Sequence, residues 1–178
     1  MEKSRLLPLL IIPAMLVIVE LAALFLSLPM QSTGITAFED PESVANPFIF
    51  ITILLLFTGF LLLLLRFRWK KLIGAIIGLS IFFTFVYIFV GIAGYFLGLT
   101  VGTLAISLIL SAAATVLLYL YPEWYVIDTL GILIAAGAAS IFGISLTIIP
   151  VIILLVILMV YDAISVYKTR HMITLAEG

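Results

Sequence analysis

The stretch LIGAIIGLSIFFTFVYIFVGIAGYFLGLTVGTLAISLILSAAATVLLYLYP, residues 72–122, contains no charged side chain. As one helix rising about 1.5 Å per residue it would reach about 77 Å, more than twice a hydrocarbon core of ~30 Å. It must cross a membrane and turn back. Gly91, Gly94, Gly98 and Gly102 mark the reversal, which predicts spans over residues 72–93 and 101–121.

Immediately before this stretch stands Arg66-Phe67-Arg68-Trp69-Lys70-Lys71, with half of the eight Lys and Arg of the chain. Such a cluster beside an interfacial Trp is a cytoplasmic anchor. Further upstream, residues 48–65 form an apolar run behind the polar, turn-rich loop 31–47, which carries Glu39, Asp40 and Glu42. Residues 6–30 are apolar around Pro8, Pro13, Glu20 and Pro29. Their length, internal acid and lack of a clear A-x-A site argue for a first span rather than a cleaved signal. Downstream, Tyr119, Tyr121, Trp124 and Tyr125 surround Pro122-Glu123 as an aromatic interface belt. Residues 126–166 are again too long for one crossing. Phe142-Gly143-Ile144-Ser145 is the predicted break, giving spans over 124–142 and 145–167.

The reading is therefore an all-α membrane protein, residues 1–178 forming a single domain of six transmembrane helices. Composition agrees: 66% of the 178 residues are hydrophobic and 10% charged, with a mean hydropathy of +1.46, too little polar surface for a water-soluble core. Six crossings with the N-terminus inside place Lys3, Arg5, the four cations of the 66–71 cluster, Lys168 and Arg170 all on the cytoplasmic side. Five crossings would put the last pair outside. The expected location is the cell membrane, with both ends of the chain cytoplasmic and the bilayer as its first partner. A formal charge of −1 offers no basic surface for nucleic acid. The absence of Cys excludes disulfides, thiolate metal sites and Cys nucleophiles. No cofactor motif occurs, and His171 stands alone, so no metal site is expected.

An ionisable group within a span costs about 2.5 to 3.5 kcal/mol at the bilayer centre, so each needs a reason. Asp162 lies six residues before Lys168, about 9 Å along a helix from the surface, inside the membrane but near water. That position suits either proton exchange or a helix-end residue paired with a cation. Glu20 sits deeper, toward the outer half of the first span, where it reads as a residue facing the bundle. Asp128, close to Trp124-Tyr125, reads as interfacial. Gly131, Ala135, Ala139 and Gly143 recur every four residues, and Gly74 and Gly78 form a GxxxG; both patterns predict close helix packing.

The segment Met159-Val160-Tyr161-Asp162-Ala163-Ile164-Ser165-Val166-Tyr167 resembles the Tyr-Asp motif in the sixth transmembrane helix of the presenilin and signal peptide peptidase family, particularly its archaeal homologues. The resemblance implies a nine-helix fold of which this chain is the N-terminal, six-helix part. It implies an intramembrane aspartic endopeptidase that cleaves transmembrane-helix proteins, with Asp162 as the first catalytic Asp and Tyr161 lining the active site. The family's second Asp belongs to a Gly-x-Gly-Asp motif and is followed by a Pro-Ala-Leu motif. Neither occurs here, so the implied partner is the set of remaining C-terminal helices, and the chain alone is expected to be inactive. Three alternatives stay open: a dyad of Asp128 and Asp162 within the chain, a proton- or ion-coupled transporter or channel subunit using Glu20 and Asp162, and a purely structural scaffold.

Overall fold

The computed structural model describes residues 3–164, with side chains from residue 11. Six helices follow one another: α1 (Lys3–Ser32), α2 (Ala45–Arg66), α3 (Lys70–Leu97), α4 (Val101–Leu120), α5 (Trp124–Ser145) and α6 (Ile148–Ile164). There is no strand among the described residues. The first five are long and apolar enough to cross a membrane. The sixth has 17 described residues, about 25 Å; the end of the expected span, 165–167, lies outside the described residues.

α3 and α5 run longer than the sequence suggests, and α6 begins at Ile148 rather than 145, because glycine in a membrane helix is tolerated and often serves packing rather than turning. Of the four glycines expected at the α3–α4 reversal, Gly98 alone lies in the turn, at φ +75°. Gly91 and Gly94 are buried inside α3, and Gly102 belongs to α4. The break expected at 142–145 falls instead at Leu146-Thr147, and α5 continues through Ser145.

The chain divides into two compact units. One comprises α1, α3 from Gly78 onward, α4 and α5. Its core contains Ala23, Leu26, Met30, Phe85, Ile88, Ala114 and Ala136. The helices meet closely where one partner lacks a side chain. A Cβ on Gly91 would lie 3.1 Å from Met30 Cγ, and one on Gly137 would lie 2.5 Å from Ile88 Cδ1. Along α4, Thr103, Ser107 and Ser111 are buried on one face. Each hydroxyl donates back to a carbonyl: Thr103 to Gly98 at 2.7 Å, Ser107 to Thr103 at 2.9 Å and Ser111 to Ser107 at 2.7 Å. These bonds satisfy the polar groups where no water can, while the small side chains permit close approach.

The other unit comprises α2, the start of α3 and α6. Asn46, buried, donates from Nδ2 to the Asp40 carbonyl at 2.7 Å. The Thr147 amide donates to the Pro41 carbonyl at 3.0 Å, which ties the start of α6 beside the start of α2. The two helices pack against each other and run parallel. Pro47 and Pro150 fall in the first turns of α2 and α6, where a missing amide proton costs little.

Candidate active-site region

Asp162 lies two residues from the end of the described part of α6, and its side chain is exposed. Tyr161 before it is half-buried. The parallel pairing of α6 with α2 supplies a depth scale. Asp162 is 14 residues past the start of α6, about 21 Å, whereas Arg66 ends α2 at about 31 Å from its start. With the two starts tied together, the carboxyl group stops roughly 10 Å short of the level of the basic end of α2. It is an acid within the apolar length of its unit, near one end, and exposed among the described residues.

The other two acids belong to the first unit. Asp128, in the second turn of α5, lines a cavity of about 400 Å³ with Ile12, Met15, Leu16 and Val19 of α1. Glu20 lines a second, of about 460 Å³, with Ser27, Ser140 and Gly143. Residue numbers rise together on α1 and α5 from one cavity to the next, so these helices run parallel. Both acids are exposed in these openings. Ser140 Oγ, buried beside Glu20's cavity, has no hydrogen-bond partner.

The four-residue stripe on α5 corrects an expectation. Gly131 and Gly143 have no atom within 4 Å of where a Cβ would stand, and Ala135 and Ala139 are exposed. The stripe faces the two cavities, and close packing falls to Gly137, Ala136 and Ser140 on the neighbouring face. Gly74 and Gly78 are equally open. The sequence reading also passed over the α4 hydroxyl face, whose signal was the spacing of four between Thr103, Ser107, Ser111 and Thr115. No group of three or more His, Cys, Asp or Glu comes together among the described residues; His171 lies outside them.

Residues 13–178 match the family described as signal-peptide peptidase, presenilin aspartyl protease. The chain belongs to this family. Solved structures agree. A presenilin family intramembrane aspartate protease in space group C222 is 56% identical, over 98% of this chain and 69% of that one, with a TM-score of 0.76. Another structure with the same description, in space group P2, is 58% identical over 97% of this chain and 69% of that one, at a TM-score of 0.79. No curated protein gives a match. The signal-peptide peptidase and presenilin aspartyl proteases are thus the group to which an α-helical chain with a Tyr-Asp pair on its sixth helix is related over nearly its whole length.

Proposed function

We propose that this chain supplies one half of an intramembrane aspartic endopeptidase, with Asp162 as its first catalytic carboxyl group. The observation that carries the reading is an exposed Asp162 on the apolar helix α6, in a chain 56% to 58% identical to presenilin family intramembrane aspartate proteases. An acid left facing lipid would cost about 2.5 to 3.5 kcal/mol, and a second polar group set against it removes that cost. The second carboxyl group belongs to a Gly-x-Gly-Asp helix supplied by the remaining C-terminal part, whether in the same polypeptide or a separate one.

The chemistry requires both. Two carboxyl groups sharing one proton act as a coupled pair. The ionised member takes a proton from water as the oxygen attacks the scissile carbonyl carbon, and the protonated member donates to the carbonyl oxygen. The tetrahedral intermediate then collapses, the C–N bond breaks, and a proton passes to the leaving amine. Substrates are transmembrane helices, which must unwind locally because their carbonyls are held in intrahelical bonds. Tyr161 lines the site beside the dyad. The ends of the chain face the cytoplasm, which puts the dyad toward that side of the bilayer.

The test is cleavage of a transmembrane reporter by the completed protease in detergent. Asp162→Asn, which keeps size and removes the titratable group, should abolish product at least a thousandfold, on the order of the loss seen on removing a catalytic group elsewhere. Cleavage at the wild-type rate would refute the assignment. Proton flux that disappears in the same variant, without any proteolysis in the wild type, would support the transporter instead.

A further inference from the structure

The turn joining α2 and α3 breaks two local rules at once. It closes as a Schellman motif: the Trp69 amide donates to the Leu64 carbonyl at 3.1 Å, and the Arg68 amide donates to that of Leu65 at 2.9 Å. The residue in the left-handed position of this motif is normally Gly, yet here it is Arg68, at φ 58°. Among the described residues it is the one non-glycine with positive φ. The second departure is at the start of α3. Lys70 and Lys71 occupy its first two positions, where the partial positive charge of the helix end favours anions and disfavours cations. Lys71 at this helix end, beside Arg66 and Arg68 of the preceding turn, concentrates positive charge that a bound anion would offset.

The surroundings say which anion. Arg68, Trp69, Lys70, Lys71 and Leu72 line an opening of about 530 Å³, large enough for a headgroup. Arg66 closes α2 beside it, so four cations fall within six residues, with no acid among them. The acids at the other end of α2, Glu39, Asp40 and Glu42, lie about 30 Å away along the helix, well beyond screening range; Asp162 on α6, roughly 10 Å short of the level of Arg66, is the nearest described acid of this unit. Phe67 and Trp69, with ring centroids 6.2 Å apart, are both exposed. Aromatic rings of this kind settle at the level of lipid headgroups.

We propose that the α2–α3 turn binds the phosphate headgroup of an anionic membrane lipid. Arg68 and Lys71 clamp the phosphate, Arg66 and Lys70 add to the local field, and Trp69 seats the lipid's glycerol region. Each cation near a membrane surface favours anionic lipid by roughly fivefold.

The chain has two Trp residues, so Trp124→Phe leaves Trp69 as a fluorescent reporter of the turn and Trp69→Phe leaves Trp124 as a control. The chain is placed in phosphatidylcholine nanodiscs in which about one lipid in ten is brominated, either phosphatidylglycerol or phosphatidylcholine. Trp69 should be quenched at least about twofold more by the brominated phosphatidylglycerol, and Trp124 equally by both. Arg68→Gly and Lys71→Gln should each lose the preference. Arg68→Gly should do so while raising resistance to unfolding, because Gly suits φ 58° better than Arg. Equal quenching of Trp69 by the two lipids, or a preference that survives both substitutions, would overturn the proposal. Loss of the preference to millimolar inorganic phosphate would reassign the turn to a soluble anion and overturn it equally.

Discussion

Two glycines on one helix should respond oppositely to the same substitution. At Gly137 a new methyl group would stand 2.5 Å from both Cγ1 and Cδ1 of Ile88, far inside van der Waals contact. Ile88 is fully buried. Overpacking of this kind costs about 1–3 kcal/mol, whereas Gly→Ala in a helix interior gains about 0.5–1 kcal/mol. The net for Gly137→Ala is a loss of about 1 kcal/mol or more, roughly fivefold in the unfolding equilibrium. Six residues on, Gly143 faces open space, so Gly143→Ala keeps only the gain and stabilises by about 0.5–1 kcal/mol. Equilibrium unfolding in mixed micelles titrated with SDS reads both. A double variant isolates the contact: Ile88→Ala removes both Cγ1 and Cδ1, so the cost of Gly137→Ala should shrink in that background. A Gly137→Ala protein as stable as the wild type, or a cost indifferent to Ile88→Ala, would refute the α3–α5 packing described above.

Two other perturbations address the loops. Asn46→Leu removes the Nδ2 bond to the Asp40 carbonyl and should cost about 1–3 kcal/mol; hydrogen exchange at the Thr147 amide, which rests on the adjacent Pro41 carbonyl, should quicken. The Thr100 hydroxyl accepts from the Thr103 amide at the start of α4. Thr100→Ala should lose about 1 kcal/mol in the same SDS titration, and Thr100→Ser should keep most of the stability, because a hydroxyl cap survives.

The number and kind of elements were readable because the bilayer imposes a length and polarity that few alternatives meet. The uncharged run 72–122 could hardly be other than two helices, and the parallel pairs α1 with α5 and α2 with α6 are what alternating crossings require. Helix ends were harder to place. Gly91 and Gly94 have the composition of a turn, but what decides their role is Met30 and Thr33 on a distant segment, and no local pattern encodes that. The α5 stripe failed for a related reason: spacing identifies a face but not which neighbour it meets, and the packed face holds Gly137 rather than Gly131 or Gly143. Asp162 stood out in sequence because an acid in an apolar helix is expensive. The second carboxyl group proposed for it could not be read, since no Gly-x-Gly-Asp motif occurs in these 178 residues.

That partner is also what most directly tests the account. These 178 residues contain no Cys, so a Cys pair can be introduced into the completed protease, with any Cys of its C-terminal part first replaced: Asp162→Cys together with the Asp of the proposed downstream Gly-x-Gly-Asp motif changed to Cys. A disulfide needs Cα atoms about 4.4–6.8 Å apart, close to the reach of two carboxyl groups sharing a proton. The account predicts rapid, near-complete cross-linking of this pair on mild oxidation in the membrane, and none when Asp128→Cys replaces Asp162→Cys. Failure of the first pair to cross-link, with the Asp128 pair forming instead, would contradict it.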